Sequence, residues 1–320
     1  MKYAQLGNSG INVSQLCVGC MSFGKPSEDF HQWTLNPEET ETIVKKALDL
    51  GINFFDTANC YSHGTSEEYL GQALKKNISR DKAIIATKVY FNEGHLSKEA
   101  INREIDGSLK RLGTDYVDLY IIHRFDYNTP IEETMEALDG LVKAGKVRAL
   151  GASAMYGYQF HNMQLAAEKN GWTKFVSMQN HYNMLYREDE RELIPICRQY
   201  NAALTPYSPL AAGRLARPEW HTDSKRSQTD KTAAQKYDST QEKDSLIVKR
   251  VAEIADKYDS TMSQISIAWL LSKGVTSPII GATKAKYFDD AAKAVDISLS
   301  QEDINYLEAL YIPHKIVGAL

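Results

Sequence analysis

The chain has 320 residues, of which 43% are hydrophobic and 24% are charged, and its formal net charge is −4. This length suits one large α/β barrel or two ordinary domains, and the composition is that of a globular protein with ample apolar residues for a core. The acidic balance, without any dense block of lysine and arginine, argues against a nucleic-acid partner.

No apolar stretch follows the first residues, and no run in the chain is long enough to cross a bilayer, so we expect a cytoplasmic protein without a membrane partner. Four cysteines are few for this length, as in a reducing compartment. Cys17 and Cys20 have the spacing of a redox pair, but they end a predicted strand instead of opening a helix, so we interpret the spacing as coincidence. The histidines lack ligand spacing, and no metal site is predicted.

Short β-rich apolar runs alternate with amphipathic helical patterns along the chain. A hairpin with its turn at residues 8–10 is predicted first. Helical faces such as that of Ile43, Val44 and Ala47 separate the strands that follow. The eight predicted strands are residues 15–19, 52–56, 83–88, 117–123, 147–153, 175–179, 202–207 and 276–280.

Strands that alternate with helices predict a parallel sheet covered by helices, and eight such units fit a closed (β/α)8 barrel, the TIM barrel, better than an open doubly wound sheet. We therefore predict a single domain over residues 1–320, with the hairpin as a cap on the bottom of the barrel. The polar stretch 220–244 after strand seven predicts a long mobile loop that can include a short helix. A lid over the catalytic face and an uninvolved surface insertion both fit this loop.

Three consecutive predicted strands end in an ionisable residue, namely Asp56, Lys88 and His123. Charged groups are costly in a strand-rich core, and the carboxyl ends of barrel strands meet at the mouth where catalytic groups lie. Tyr61 follows Asp56 in the next loop and can fold back over the same mouth. Each residue alone has an ordinary structural explanation, but the combination predicts an active site.

Several stretches of the chain resemble the aldo-keto reductase superfamily. The resemblance lies in GINFFDTANCYSHGTSEEYLGQAL, in the ATK strand end, in LGTDYVDLYIIHRFD and in the later GATK, and it covers essentially the whole chain. Within it, VGCMSFGKP, FVSMQNHYN and the terminal YIPHKIVG are most similar to a bacterial branch of general aldo-keto reductases that includes the YajO-type proteins. The resemblance implies a (β/α)8 barrel, NADPH, and reduction of aldehydes or ketones.

The four residues at the mouth suit that chemistry. Hydride that arrives at a carbonyl carbon leaves negative charge on the oxygen, which requires a proton donor and preorganised hydrogen bonds. Tyr61 is the candidate donor, and Lys88 supplies a positive charge that favours the phenolate. Asp56 keeps Lys88 ionised through a buried ion pair, and His123 donates to the carbonyl oxygen. These assignments are hypotheses.

The candidate cofactor residues lie elsewhere, because no GxGxxG motif follows the first strand to indicate a Rossmann site. The end of strand eight, PIIGATKAK, offers backbone N–H groups and lysines to a phosphate. By the resemblance, Gly281, Thr283 and Lys284 bind the adenosine 2′-phosphate, with Tyr287 and Asp290 beside them. NADPH is then preferred, and NADH is left open.

The resemblance also assigns residues to the rest of the cofactor. Ser153 and Gln179 match positions that hydrogen-bond the nicotinamide carboxamide, and Tyr207 matches the aromatic residue that stacks on the nicotinamide. The remaining positions that it implies are Gly19, Met21, Asp56, Ser208, Pro209, Leu210, Gly213 and Leu215.

The predicted partner is a small-molecule carbonyl compound, with Tyr90 and Arg124 as candidates for its pocket. Arg124 fits either a phosphate or carboxylate on the substrate or an exposed ion pair. A different function, that of a nicotinamide-binding regulatory subunit without turnover, also fits the fold. The complete set of four residues favours the enzyme, since a binder needs no proton donor. The sequence does not indicate an oligomeric state.

Overall fold

The structure is a computed structural model that describes residues 1–27, 31–223, 228–281 and 283–317. In these ranges the strands are β1 (Tyr3–Gln5), β2 (Asn12–Ser14), β3 (Cys17–Gly19), β4 (Phe54–Asp56), β5 (Ile84–Val89), β6 (Val117–Ile122), β7 (Val147–Ser153), β8 (Phe175–Gln179), β9 (Ala203–Leu204) and β10 (Ile279–Ile280). The α-helices are α1 (Pro37–Asp49), α2 (Thr65–Asn77), α3 (Lys98–Leu112), α4 (Ile131–Lys143), α5 (Gly157–Asn170), α6 (Leu193–Gln199), α7 (Lys231–Tyr237), α8 (Gln241–Lys257), α9 (Met262–Ser272), α10 (Lys286–Lys293) and α11 (Gln301–Glu308).

The strands β3 to β10 form one parallel sheet in the order β10-β3-β4-β5-β6-β7-β8-β9, so β9 and β10 are its two edges. Backbone hydrogen bonds close this sheet, since the N–H of Thr276 donates to the carbonyl of Leu204 over 2.9 Å and that of Ile279 to Pro206 over 3.0 Å. The predicted (β/α)8 barrel is therefore confirmed. It places the carboxyl ends of all eight strands around one mouth.

The core has two layers, one on each side of the barrel wall. The wider layer packs the outward faces of the strands against the helices, as with Ile43 and Val44 of α1, which are fully or almost fully buried. The inner layer fills the barrel itself with side chains that include Phe54, Leu119 and Ile121. In the part of the chain that the structure describes, the barrel interior is thus a packed core without a channel, and a ligand would bind at the mouth.

The N-terminal hairpin covers the bottom of the barrel. Strands β1 and β2 pair antiparallel, and Leu6 and Val13 are fully buried members of the inner layer. Gly7 has a positive φ of 58°, and a β-carbon there would lie 2.3 Å from the carbonyl oxygen of Val176 at the start of β8. The hairpin therefore closes this end of the barrel by direct backbone contact, and its predicted position as a cap is confirmed.

Two helices meet closely at Gly71 of α2. A β-carbon at this position would lie 2.2 Å from the carbonyl oxygen of Leu112, the last residue of α3. The helices can approach to this distance only because residue 71 has no side chain.

The segment 220–244 differs in part from its prediction. It contains α7 and the first turn of α8, which begins at Gln241, so much of the expected loop is helical. Asp230 accepts a hydrogen bond from the N–H of Ala233 over 2.9 Å and so caps α7. The correction follows from anchoring, because Tyr237 is 2% exposed against the barrel. Residues 224–227 of this stretch lie outside the described residues.

The C-terminal segment after α11 packs back onto α8. His314 lies with its Nε2 atom 3.1 Å from both carboxylate oxygens of Asp244, and its Nδ1 atom lies 2.7 Å from the carbonyl of Ile312. Both ring nitrogens face acceptors, an arrangement that favours the doubly protonated, positively charged imidazole. Within the described ranges, no helix is both long and apolar enough to span a bilayer.

Candidate active site

The structure brings the four predicted catalytic residues together at the mouth of the barrel. Asp56 is the last residue of β4, Lys88 lies in β5, and His123 directly follows β6. Tyr61 begins a short 3-10 turn between β4 and α2. Because β4, β5 and β6 are neighbours in the sheet, their carboxyl ends deliver these side chains to one place.

Asp56 and Lys88 form a buried ion pair. The Nζ atom of Lys88 lies 2.6 Å from Oδ1 of Asp56 and donates to the carbonyl of Thr57 over 2.7 Å. The Lys88 side chain is 0% exposed and that of Asp56 is 3% exposed. Burial alone would lower the pKa of Lys88, but the charge of Asp56, the Tyr61 hydroxyl and the hydrogen bonds to both together outweigh burial, and the pKa of Lys88 is raised. Lys88 therefore stays protonated beside Tyr61.

Lys88 directs its third hydrogen bond to Tyr61. The Nζ atom lies 3.2 Å from the Tyr61 hydroxyl and 4.7 Å from the centroid of the ring. Burial raises the pKa of Tyr61 to about 12, although the charge of Lys88 acts to lower it. In the free protein, burial thus outweighs the effect of Lys88 on the acidity of this phenol.

His123 lies beside Tyr61 as a neutral ring. Their ring centroids are 5.8 Å apart in an edge-on arrangement, and the Nδ1 atom of His123 lies 3.9 Å from the thiol of Cys60. Burial lowers the pKa of His123 well below its usual value, and the charges of Lys88 and Arg124 lower it further. A neutral imidazole that carries one proton can donate a hydrogen bond to an oxygen without competing as an acid.

The loops around the mouth hold backbone conformations that L-residues rarely adopt. Positive φ angles occur at Ser62 and His63 next to Tyr61 (45° and 53°), at Ala154 after β7 (45°), and at Ser208 (56°). Ala211 and Ala212 in the following loop have φ of 46° and 54°. Each such residue costs about 1–3 kcal/mol, and clusters of them are typical of functional sites. This strain carries no local sequence signal, so the sequence analysis missed it.

Three of the predicted cofactor residues line the same mouth. Ser153 and Gln179 are paired across the carboxyl ends of β7 and β8 and are both buried. The Nε2 atom of Gln179 donates to Oδ2 of Asp56 over 2.8 Å. The hydroxyls of Ser153 and Tyr207 are buried and have no hydrogen-bond partner among the described groups. Buried polar atoms without partners are costly, so these two hydroxyls fit a ligand with donors and acceptors of its own.

The other predicted cofactor residues extend from the mouth on two sides. Gly19 ends β3, and Met21 lies in the turn that follows. The strained loop after β9 contains Ser208, Pro209, Leu210, Gly213 and Leu215, of which Leu215 is fully buried. In the closed sheet β3 and β9 lie on either side of β10.

The predicted phosphate-binding residues follow β10. Three of them precede α10, which begins at Lys286, and Tyr287 lies in its first turn. All four are exposed, namely Gly281, Thr283, Lys284 and Tyr287. Asp290 does not project freely, because its carboxylate accepts hydrogen bonds from Thr261 over 2.9 Å and Gln264 over 2.8 Å. An exposed lysine and threonine just before a helix N-terminus fit a phosphate group.

A group of aromatic residues that the sequence did not indicate encloses Tyr207. His181 stacks between Tyr186 and Tyr207, with ring centroids 4.2 Å and 5.2 Å away. Its Nε2 atom lies 2.7 Å from the hydroxyl of Tyr237, which belongs to α7. The neighbouring Lys236 places its Nζ atom 4.7 Å from the centroid of the Tyr207 ring. No periodic pattern in the polar segment could have indicated that α7 reaches the site.

The predicted substrate residues lie on the other side of His123. Tyr90 stacks on His95 and contacts Phe91 edge-on, and Phe91 in turn lies 5.0 Å from the His123 ring. Arg124 donates to the carbonyl of His123 over 2.7 Å, and its guanidinium lies 5.6 Å from the centroid of Phe91. Arg124 makes no ion pair with any described residue. The structure therefore does not support the alternative in which Arg124 only forms an exposed ion pair.

No group of three or more metal-ligating side chains occurs in the part of the chain that is described. Cys17 and Cys20 are both fully buried free thiols, and burial raises the pKa of each. A thiol of this kind is a poor nucleophile, which agrees with the interpretation of their spacing as coincidence.

Comparison with known proteins gives a family and full-length relatives. Residues 15–312 match the family described as Aldo/keto reductase family. The versiconal hemiacetal acetate reductase of Aspergillus parasiticus is 42% identical to this chain over 341 residues, which cover 99% of this chain and 98% of that protein. An aldo-keto reductase of Fusarium vanettenii is 44% identical over 346 residues, with 99% and 92% covered.

A third relative, the aldo-keto reductase AFTS1 of Alternaria alternata, is 41% identical over 345 residues, which cover 99% of this chain and 92% of that protein. All three relatives come from fungi. The narrower resemblance to the bacterial YajO-type branch therefore stays a prediction.

Proposed function

Since this chain belongs to the aldo/keto reductase family, we propose that it reduces the carbonyl group of aldehydes or ketones to an alcohol with NADPH, and that Tyr61 donates the proton. The family comprises nicotinamide-dependent oxidoreductases, so the chain is an NAD(P)H-dependent enzyme that acts on small carbonyl compounds. The preference for NADPH, the role of Tyr61 and the other residue assignments are parts of the proposal.

The observation that carries the proposal is the chain of contacts from Asp56 through Lys88 to Tyr61. A fully buried lysine has three acceptors in this structure, and one of them is a phenol that lies next to a neutral histidine. A purely structural ion pair has no need of a strained loop that holds a tyrosine over it. The arrangement supports proton donation to a group bound between Tyr61 and His123.

The mechanism can be stated for the residues of this chain. When NADPH is bound, it supplies the hydride that reduces the carbonyl carbon. The negative charge that develops on the carbonyl oxygen is met by the Tyr61 hydroxyl and by the N–H of His123. Tyr61 passes its proton to this oxygen, and the adjacent Lys88 stabilises the phenolate that remains. Asp56 holds Lys88 in position, and the burial of the pair strengthens these interactions.

One observation supports a cofactor at the mouth. The buried hydroxyls of Ser153 and Tyr207 have no hydrogen-bond partner among the described groups, and a bound nicotinamide could supply one. We assign Ser153 and Gln179 to the carboxamide and Tyr207 to the nicotinamide ring. Thr283 and Lys284 would hold the 2′-phosphate. We also propose that residues 1–320 form a single domain.

The role of Tyr61 is tested with Tyr61→Phe, which removes only the hydroxyl. Tyr69→Phe serves as the matched control, since Tyr69 lies on α2 and takes no part in the contacts among Asp56, Lys88 and His123. NADPH binding is measured by fluorescence, and reduction of a panel of aldehydes is followed by loss of nicotinamide absorbance. We expect Tyr61→Phe to bind NADPH normally and to lose about 10²- to 10⁴-fold in reduction rate. A Tyr61→Phe protein that reduces aldehydes at the wild-type rate would overturn this role.

The cofactor assignment is tested by binding alone. We expect wild-type protein to bind NADPH more tightly than NADH, and Lys284→Ala to remove most of that difference, with a weaker dependence on salt. Equal binding of both cofactors by the wild type, unchanged in Lys284→Ala, would contradict the assignment. If NADPH binds but no carbonyl compound of the panel oxidises it in a single turnover, the regulatory subunit is the better description.

A further inference from the structure

Two positively charged side chains lie near the mouth outside the catalytic group. Arg124 directly follows His123 and is held by its hydrogen bond to the His123 carbonyl and by its contact with the Phe91 ring. Lys236 comes from α7 and lies over the ring of Tyr207. Both side chains are half-buried. Within the described residues, neither of them takes part in an ion pair.

Lys236 is held in place by the residue next to it. Tyr237 is almost fully buried, and its hydroxyl lies 2.7 Å from Nε2 of His181 and accepts a hydrogen bond from Nδ2 of Asn183 over 3.1 Å. These contacts attach α7 to the loop after β8. The packing of Tyr237 therefore fixes α7, and with it the backbone of Lys236, beside Tyr207.

The remaining charges at the mouth offset one another. Asp56 is neutralised by Lys88, and His123 is neutral because burial lowers its pKa. Asp230 caps that helix, and its carboxylate also acts on Lys236, so it offsets part of the charge of the lysine. Arg124 lies close enough to Lys236 for its charge to lower the pKa of the lysine, and it makes no ion pair in the described ranges. The positive charge of Arg124 and Lys236 together therefore exceeds the negative charge of this carboxylate, and an anionic ligand would offset the excess.

We propose that Arg124 and Lys236 form a subsite for an anionic group on the carbonyl substrate, a carboxylate or a phosphate monoester, and so determine its specificity. The guanidinium presents paired N–H donors that match the oxygens of either group, and the ammonium adds a compact charge. The subsite lies beside His123 and Tyr207, so the anionic group is close to the reacting carbonyl. This inference rests on the proposed function of carbonyl reduction.

The test compares two matched substrates. 4-Formylbenzoate and its methyl ester differ in one negative charge, and the ratio of their kcat/KM values measures the preference for the anion. We expect the wild type to favour the acid, and both Lys236→Gln and Arg124→Gln to lower the ratio by about tenfold. Lys231→Gln is the control, because Lys231 is an exposed lysine on the same helix. Its ratio is expected to equal that of the wild type.

A second pair, glyceraldehyde 3-phosphate and glyceraldehyde, identifies the group that binds. A larger ratio for this pair assigns the subsite to phosphate monoesters, and a larger ratio for the formylbenzoate pair assigns it to carboxylates. Ratios close to one for both pairs, or ratios that the two substitutions leave unchanged, would overturn the subsite. So would a loss of NADPH affinity in Lys236→Gln at an unchanged ratio, since the cation would then serve the cofactor.

The outcomes for the subsite and for the proposed function can be told apart. An enzyme that reduces all four aldehydes without preference disproves only the subsite. If none of them is reduced, the proposed function fails, and calorimetric binding of 4-formylbenzoate and its ester still decides the subsite. Tighter binding of the acid that is lost in both Lys236→Gln and Arg124→Gln supports it, and equal affinities overturn it.

Discussion

Gln179 donates to the carboxylate oxygen of Asp56 that Lys88 does not contact. The two contacts, 2.8 Å to Oδ2 and 2.6 Å to Oδ1, give both oxygens of this buried carboxylate a hydrogen-bond donor. Gln179 was assigned to the cofactor by resemblance alone, and the structure gives its Nε2 atom a different partner. Its carbonyl oxygen would be the atom that faces the nicotinamide carboxamide.

We expect Asp56→Asn to destabilise the protein by about 3–5 kcal/mol and to abolish most activity, since it leaves the buried charge of Lys88 without a counterion. Loss of the carboxylate also removes the effect that raises the pKa of Lys88, so the lysine loses its proton more easily. Denaturant unfolding measures the first effect, and carbonyl reduction the second.

The double variant Asp56→Asn/Lys88→Met separates these two effects. With both charges gone, stability should return towards that of the wild type, whereas reduction should stay low because the tyrosine has lost its cation. A double variant as unstable as Asp56→Asn alone would show that the pair contributes packing and not charge compensation.

The pH dependence of substrate preference should follow Lys236. Burial and the charge of Arg124 lower the pKa of Lys236 to about 8, against the opposing effect of Asp230. The lysine is charged below that pH, so the preference for 4-formylbenzoate over its ester should fall as the pH rises through about 8, and Lys236→Gln should lack this transition. His123 should cause no transition near its ordinary pKa of about 6.5, because its pKa is far lower. A preference that is constant with pH in the wild type would contradict the role of Lys236.

We expect Gly71→Ala to destabilise the protein by about 1–3 kcal/mol, because the added methyl group meets a backbone carbonyl that cannot rotate away. Gly140→Ala is the matched control in α4, where a β-carbon has no neighbour within 4 Å. There, alanine should stabilise the helix by up to about 1 kcal/mol. Denaturant unfolding of the two variants should therefore shift in opposite directions, and equal shifts would refute the close contact of α2 with α3.

His314→Gln should destabilise the protein more at acidic than at alkaline pH. The carboxylate of Asp244 raises the pKa of His314 above its usual value, although burial lowers it. The ion pair therefore contributes fully below the unfolded pKa of about 6.5, and its contribution disappears as the pH rises through the folded pKa. We expect a loss of about 1–2 kcal/mol near pH 6 and a smaller loss near pH 9. His221→Gln, at an exposed position, is the control, and a loss independent of pH would contradict the charged pair.

The positions of all eight barrel strands could be predicted from the sequence, because each is a short apolar run followed by a helical pattern. The first two were predicted to begin two residues too early, as residues 15–19 and 52–56, whereas the strands are Cys17–Gly19 and Phe54–Asp56. The last two were also predicted too long, as residues 202–207 and 276–280, whereas the strands are Ala203–Leu204 and Ile279–Ile280. Pro206 and Pro278 interrupt the regular ladder in these two segments, because a proline has no N–H to donate. Single hydrogen bonds continue beyond the prolines, such as that from the N–H of Tyr207 to the carbonyl of Asn180.

The ends of β4, β5 and β6 made the meeting of Asp56, Lys88 and His123 predictable, since barrel topology alone brings consecutive strand ends together. Lys236 and His181 could not be predicted in the same way. Their contacts with Tyr207 depend on how α7 folds over the mouth, and a polar segment gives no periodic signal of the surface that it will contact.

The hairpin that closes the bottom of the barrel affects the order of events in a catalytic cycle. With Leu6 and Val13 filling that end, the described residues leave the mouth as the entrance that both reactants share. Of two ligands that share one entrance, the deeper one must arrive first and leave last. If nicotinamide on Tyr207 lies beneath the carbonyl compound, kinetics should follow a compulsory order in which release of the oxidised cofactor ends each turnover and can limit its rate.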